Sequence, residues 1–329
     1  MMAVFMKTPV LCFLILAACS VRSMGQASEP WQVLSAVSKH SDLLNSQAPP
    51  FQMDLDFDAQ LNVPVHGHMS LHWAAKDRWR SEIVMGDFKQ IRVRDGEMEY
   101  TLRNLPFEPL PTRRLSSLLH FATGLGDFAV KKEKHRNDAG QATTCFSAEQ
   151  KGFRVKEELC VADAAGTLLT RSSEIPPDER DRILLADYAD FAGYEFPRNL
   201  VLEENGSKVV KVNVTRLAAA AFDDTLLKPP AGAIVRRQCE GKKRPIPVKT
   251  PDPTYPRAAS ANNLQGDVTV AMSVQPDGSV GDIYLIGRAA LDMDEVTMKS
   301  LKSWRFKPAM CGTEAVADDI QVVVSFRRD

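Results

Sequence analysis

The sequence lacks the features that mark several large classes of protein. Its 41 basic and 42 acidic residues nearly cancel, so the strong positive excess of a nucleic-acid-binding protein is missing. Six cysteines in 329 residues are too few for a disulfide scaffold, so a packed apolar core must supply most of the stability. With 44% hydrophobic and 25% charged residues, the composition is that of a folded, water-soluble protein of about two domains.

The common catalytic motifs are missing as well. G-x-S-x-G, H-E-x-x-H, the P-loop and G-x-G-x-x-G do not occur. His66, His68 and His72 share one strand parity, and two imidazoles placed in this way can hold zinc, but no fourth ligand accompanies them. A solvated strand face explains these histidines better. We therefore expect no catalytic residue, no metal and no cofactor, and a protein that is not an enzyme.

The N-terminus has the pattern of an export signal. Lys7 precedes nine apolar residues, 10–18, which is far fewer than the ~20 residues that span a bilayer. The run ends in Leu16-Ala17-Ala18-Cys19, which resembles the bacterial lipobox. The resemblance implies that residues 1–18 are removed and that Cys19 carries lipid, which anchors the protein to a membrane.

Two alternatives for the N-terminus stay open. Cleavage after Ala27 would release a soluble protein, and an uncleaved signal would itself be the anchor. All three interpretations place the mature chain outside the cytoplasm. We expect a periplasmic protein, anchored by its lipid to the outer membrane.

Four cysteines remain in that oxidising compartment. They are Cys145, Cys160, Cys239 and Cys311, and no C-x-x-C motif indicates redox chemistry. We expect the disulfides Cys145–Cys160 and Cys239–Cys311, because each pair then lies within one predicted domain. Four free, buried thiols are the alternative.

Residues 29–227 have the pattern of an antiparallel sheet with a few helices. Periodicity predicts a helix over 29–46 and another over 113–125, with alternating strands from residue 51 onward and a hairpin at Asp95-Gly96. The segments 67–73, 77–80 and 93–100 resemble those of the periplasmic lipoprotein-carrier family, the LolA-like proteins, although a proline of the family pattern is absent before Arg78. The resemblance implies a curved half-barrel whose apolar hollow holds a lipid or acyl chain.

The C-terminal region follows a proline-rich linker. Seven prolines lie between positions 229 and 256, which predicts an extended linker over 228–254. A short helix follows, then two strands around Asp277-Gly278, a helix that Asp292 can cap, and a last strand over 320–327. Region 251–327 is similar to the C-terminal domain of TonB. The residues that carry this similarity are Tyr255-Pro256 with Ala258, Gly266-Asp267-Val268, Asp277-Gly278-Ser279-Val280, Leu291-Asp292 and Trp304-Arg305-Phe306-Lys307-Pro308-Ala309.

The similarity to TonB implies a small α+β domain over 255–329 with a three-stranded antiparallel sheet. Its last strand would offer a free edge to an extended peptide of a partner in the envelope, such as an outer-membrane receptor. The candidate partner-binding residues are Tyr255, Pro256, Ile320, Gln321, Val322, Val323, Val324, Ser325, Phe326 and Arg327.

We therefore expect an envelope binding protein of class α+β that docks a peptide by strand addition and has a hollow for an apolar ligand. The alternative is a component of TonB-dependent transport across the outer membrane. That role requires coupling to an inner-membrane motor, and a folded domain stands here where a transducer has its long spacer.

Overall fold

The computed structural model describes residues 29–60, 64–138, 141–150, 156–175, 179–290 and 292–327. The expected signal peptide 1–18, Cys19 and the alternative cleavage site at Ala27 lie outside these residues. In the part of the chain that is described, no helix has the length and apolar character needed to cross a membrane.

The N-terminal domain is built on one curved, 13-stranded antiparallel sheet with two helices, α1 (Pro30–Ser41) and α2 (Leu110–Leu119). The strands are β1 (Phe51–Gln60), β2 (Pro64–Ala75), β3 (Arg78–Met85), β4 (Phe88–Asp95), β5 (Met98–Arg103), β6 (Phe128–Asp138), β7 (Gln141–Gln150), β8 (Lys156–Ala162), β9 (Leu168–Ile175), β10 (Glu179–Phe191), β11 (Tyr194–Glu204), β12 (Ser207–Ala219) and β13 (Ile234–Arg237). Their order is β13-β5-β4-β3-β2-β1-β12-β11-β10-β9-β8-β7-β6.

The alternating sequence of β1 places the core on one face of this sheet. Phe51, Met53 and Leu55 are at most 1% exposed, while Gln52 and Asp54 between them lie on the other face. Because side chains alternate across a strand, this pattern sets one apolar and one polar face for the neighbouring strands too. Helices α1 and α2 bury Leu34 and Leu115 in the same core.

Helix α2 differs from the predicted range 113–125. It begins at Leu110 and ends at Leu119. Proline is tolerated in the first turn of a helix, where an N–H has no partner to lose, so Pro111 lies inside α2. Turns follow, and Gly124, with φ +73, lies in the left-handed region.

The C-terminal domain has the expected three-stranded antiparallel sheet, and its helices pack on that sheet. The elements are β14 (Ile246–Lys249), α3 (Arg257–Ala261), β15 (Gly266–Val274), β16 (Val280–Gly287), α4 (Met293–Leu301), β17 (Arg305–Lys307), β18 (Ala309–Cys311), β19 (Glu314–Val316) and β20 (Asp318–Phe326). The sheet order is β16-β15-β20. Asp292 precedes α4 but makes no side-chain cap, contrary to the prediction, because its φ of +63 is far from the extended backbone that a capping residue adopts.

The linker is fixed to both domains. Strand β13 pairs with β5, from Ile234 opposite Thr101 to Arg237 opposite Met98. Strand β14 pairs with β17 of the C-terminal domain. The chain is extended here, as its prolines predict, but backbone pairing holds it at both ends.

Both predicted disulfides are present. Cys145 and Cys160 face one another across β7 and β8. Cys239, two residues after the end of the linker strand β13, is bonded to Cys311 at the end of β18. The second bond therefore ties the linker to the C-terminal domain.

Candidate functional site

Strand β20 lies at one edge of the C-terminal sheet. It pairs with β15 along its whole length, from Gly266 opposite Phe326 to Val274 opposite Asp318. Among the described residues, no strand pairs with its other side. An edge of this kind presents N–H and C=O groups that an extended chain can satisfy.

The side chains of β20 alternate between the domain core and the outside. Ile320, Val322 and Val324 pack against the core, in which Phe326 is only 3% exposed. Val323, on the opposite face, is 57% exposed. A partner strand would therefore join a sheet whose inner face is already packed.

A groove of about 800 Å³ runs beside the first half of this edge. Its volume lies within the ~300–1,000 Å³ typical of ligand sites. One wall is β20 itself, and the other is formed by the linker together with Trp304 and with Phe306 of β17. The lining residues include Lys242, Arg244, Pro245, Pro247, Trp304, Phe306 and the β20 residues 318–323.

Polar contacts from the linker and the N-terminal domain hold the beginning of β20. The Nη1 atom of Arg113 donates to Oε1 of Gln321 at 2.6 Å. Arg236 and Lys242 form ion pairs with Asp319 and Asp318, at 2.8 and 2.6 Å. The edge is thus positioned against the other domain, while Val323 and the residues after it remain outside these contacts.

Three of the candidate binding residues have contacts within the domain. The hydroxyl of Tyr255 donates to the carbonyl of Leu264, and its ring meets Phe326 edge to face at 5.4 Å. Pro256 is buried at the start of α3. Both Nη2 bonds of Arg327 go to the Asp267 carboxylate at 2.8 Å, so this guanidinium closes the end of the β15–β20 pair.

A second concave site lies in the N-terminal domain, between α2 and strands β2 to β5. This cavity of about 290 Å³ is partly open to solvent. Its apolar wall contains Leu44, Met69, Leu71, Trp73, Trp79, Ile83, Leu115 and Leu119. The sheet therefore has a hollow on the face where the sequence places it.

The part of the cavity wall that β4 and β5 form is charged. In the strand register Trp79 faces Arg94, and Arg94 faces Glu99. Arg92 donates twice to Oε1 of Glu99, at 3.1 and 2.7 Å, and lies over the Trp79 ring. The cavity surface thus changes from apolar on β2 and β3 to ionic on β4 and β5.

Arg94 is incompletely bonded within this wall. Its Nη2 donates to the carbonyl of Gln238 at 3.0 Å, while Nη1 is buried without a hydrogen-bond partner among the described residues. Burial lowers the pKa of the Arg94 guanidinium. Leaving a buried donor unsatisfied costs about 1–3 kcal/mol, and more for a charged group.

The sequence did not single out Arg92 and Arg94. Ile91 and Val93 are the apolar residues of β4, and they lie on the face away from the cavity. The 3-10 turn Asp224–Leu227 covers that face, which explains why Val93 is fully buried there. Arg92 and Arg94 lie on the same face of β4, and Arg94 is paired with Trp79 of the neighbouring strand. This placement could be recognised only once the strand register was known.

The histidines considered for zinc lie on the polar, outer face of the sheet. The Nδ1 atoms of His66 and His68 lie 3.0 and 2.8 Å from carboxylates of Asp58 and Asp56. Within the described ranges, the one close group of three potential metal ligands is Cys145, Glu158 and Cys160, whose two sulfurs form the disulfide.

Comparison with known proteins confirms the TonB-like region. Residues 251–327 match the family profile described as Gram-negative bacterial TonB protein C-terminal. Protein TonB of Pseudomonas aeruginosa is 32% identical over 72 residues, which are 22% of this chain and 21% of that protein. This chain therefore spans about a fifth of the length of that relative.

Similar solved structures are found for both domains. The C-terminal domain of Pseudomonas aeruginosa TonB is 23% identical, with a TM-score of 0.22, and the match covers 28% of this chain and 95% of that one. A LolA superfamily protein of Nitrosomonas europaea is 10% identical, with a TM-score of 0.40, covering 60% of this chain and 96% of that one. The family match itself is confined to the C-terminal domain.

Proposed function

We propose that this chain is a binding protein of the cell envelope, and not an enzyme, whose C-terminal domain docks an extended peptide of an envelope partner. The observation that carries the proposal is the unpaired side of β20 next to a groove. The match of residues 251–327 to the TonB C-terminal family supports an envelope location.

The geometry favours strand addition over other kinds of docking. An added strand would bond to the backbone of β20, and its alternate side chains would enter the groove. Because Arg327 is bonded to Asp267 and Lys242 to Asp318, charge recognition falls to the groove residue Arg244. A peptide with an acidic residue near its end would fit beside it.

A photo-crosslinking amino acid at Val323 tests the docking edge in the native envelope. We expect adducts with an extended segment of one partner, mapped by mass spectrometry. The same probe at Glu295, an exposed residue of α4, is the control and should give no such adduct.

Proline substitution tests whether the backbone is what binds. In an antiparallel edge strand, one of two neighbouring amides bonds the inner strand and the other points outward. Val323→Pro and Val324→Pro each remove one of these two amide N–H groups. The variant that remains folded is the one that has lost the N–H group pointing away from the sheet. We expect that variant to lose the partner while Val323→Ala retains it; retention by the folded proline variant would rule out strand addition.

The second proposed role is binding of an apolar ligand in the cavity beneath α2. Its support is the set of apolar side chains that line the cavity, Leu71, Ile83, Leu115 and Leu119 among them. Solvent extraction of the protein purified from the envelope, followed by lipid mass spectrometry, tests this role. Extracts that match those of an unrelated periplasmic protein would refute it.

The alternative function is a part in TonB-dependent outer-membrane transport. It is favoured by the TonB-like region and requires an inner-membrane motor among the partners. Recovery of motor proteins together with a receptor at the Val323 crosslink would favour this alternative over simple peptide docking.

A further inference from the structure

We propose that the outward face of the β14–β17 pair binds the surface of an anionic phospholipid bilayer. The contact surface is the basic face, which we define as the side chains of Lys249, Lys302, Arg305 and Lys307. This inference goes beyond the docking of a peptide and is independent of it, because it concerns the side of β14 that lies away from the groove.

The register of β14 and β17 separates the two faces of this strand pair. Pro247 lies opposite Phe306, and both residues line the groove beside β20. Because side chains alternate along a strand, Arg305 and Lys307, on either side of the buried Phe306, point away from the groove. Lys249 lies opposite Arg305 and shares its face. A bilayer that covers this outward face therefore leaves the groove open.

The end of α4 brings the fourth cation to the basic face. The side chains of Ser300 and Trp304 both donate to the carbonyl of Pro251, at 2.6 and 3.1 Å, which fixes the helix end beside the linker. Nη1 of Arg305 donates to the carbonyl of Lys302 at 3.4 Å, so these two residues are neighbours. All four side chains of the basic face are exposed.

No ion pair within the described residues neutralises the basic face. Segments 243–251 and 296–311 contain three and four cations and no aspartate or glutamate. Like charges that lie close together on one face of a strand pair destabilise the fold. The fold therefore gathers cations here without supplying their counter-ions.

The carboxylates around the basic face leave it positively charged. Hydrogen bonds from Ser279 lower the pKa of the Asp277 carboxyl, and the charge of Arg305 adds a smaller effect. Asp252 is exposed in the linker and forms no ion pair with these cations. Lys299 is not counted in the basic face, because Glu295 lies one helical turn before it.

The side chains favour a bilayer over an acidic protein. Three of the four cations are lysines, whose compact charges on flexible stems suit a fluid layer of phosphate groups, whereas arginine is preferred for the planar carboxylates of proteins. Ile246, opposite Lys307, is 56% exposed, and Val248 is 63% exposed. Aliphatic side chains beside cations enter the boundary between head groups and acyl chains in proteins that lie on membranes.

Vesicle sedimentation tests the proposal with the chain from Ser20 onward, which carries both disulfides and no attached lipid. Vesicles of phosphatidylcholine are compared with vesicles of equal parts phosphatidylcholine and phosphatidylglycerol. Each cation near an anionic surface is worth about fivefold in affinity, so we expect the mixed vesicles to bind on the order of a hundredfold more tightly. Salt at about 1 M, where the screening length is about 3 Å, should remove this preference.

A double variant assigns the binding to the basic face. Lys249→Gln with Lys307→Gln should weaken binding to the mixed vesicles about 25-fold, as the loss of two cations implies. Lys208→Gln with Lys211→Gln is the matched control, since it removes the same charge from exposed positions of β12 and should change the affinity less than about twofold. Circular dichroism and the thermal midpoint verify that both variants are folded.

Three outcomes would overturn the proposal. Equal binding to both kinds of vesicle would show that anionic lipid is not recognised, and binding to neither would show that the basic face serves another partner. Equal losses in the two double variants would show that net charge, and not this face, attracts the bilayer. In each case an adduct at the Val323 crosslink would still be expected, so the failure of this proposal is distinguishable from the failure of peptide docking.

Discussion

Removing the Cys239–Cys311 disulfide should cost more stability than removing Cys145–Cys160. The first bond closes a separation of 72 residues and the second one of 15. In the chain-entropy model these loops correspond to about 4.4 and about 3 kcal/mol at 25 °C. The difference, about 1.4 kcal/mol, comes from the unfolded chain, because β13 and β14 hold the linker in the folded state with or without the bond.

Paired alanine variants measure this difference. Cys145, Cys160 and Cys311 are all at most 7% exposed, whereas Cys239 is half-buried, so truncation to alanine by itself would cost the Cys145–Cys160 pair more. A larger loss in the Cys239–Cys311 variant therefore reports on loop closure. Urea unfolding followed by circular dichroism and by tryptophan fluorescence gives the free energies. Trp304 is the one tryptophan of residues 255–327 and reports on the C-terminal domain.

The comparison has a clear adverse result. If the Cys239–Cys311 variant loses no more than the Cys145–Cys160 variant, loop closure does not set the contribution of these bonds. Coincident transitions by both probes are required for the comparison, since two domains that unfold separately would not share one free energy.

Two further predictions concern the C-terminal sheet. Gly278→Ala should lower the free energy of unfolding by at least ~2 kcal/mol in a urea titration, because φ is +79 there and a Cβ would lie 2.0 Å from the Phe306 carbonyl oxygen; an unchanged midpoint would contradict the turn geometry. Bonding to Arg327 lowers the pKa of Asp267 below its ordinary 3.8, so the pair stabilises the fold above that pH and is lost as pH falls through the lower, folded-state value. Asp267→Asn should therefore flatten the decline of stability below about pH 4, and an equally steep decline would show that other carboxylates cause it.

Local patterns were enough to predict the strands whose one face is buried. Phe51, Met53 and Leu55 alternate with the polar residues Gln52 and Asp54, and β1 is formed as that alternation requires. In the C-terminal domain, the apolar residues of β15 and β20 likewise mark their inner faces. The family resemblance predicted a three-stranded antiparallel sheet with its last strand at an edge, and the structure adds the order β16-β15-β20.

Other elements depend on partners distant in the sequence. Strand β10 carries charges at both ends, and Asp187 within it has φ 56, so its pattern is not that of a half-buried strand. Strands β13 and β14 are four residues each and exist because β5 and β17 supply the other half of their hydrogen bonds. The same dependence on register kept Arg94 from being recognised as a cavity residue.

The short strand β13 also determines how the large sheet ends. One margin of that sheet is β6, whose Lys131, Lys132 and Lys134 are exposed and discourage another chain from pairing there. The other margin would be β5 if β13 were absent, since β13 is the strand that covers it. In a fragment that ends at residue 227, where the proline-rich segment starts, β5 would be an uncovered edge strand. A second copy of the fragment could then pair with it. The solubility of the N-terminal unit therefore depends on residues 234–237, which the proline content alone assigns to a linker.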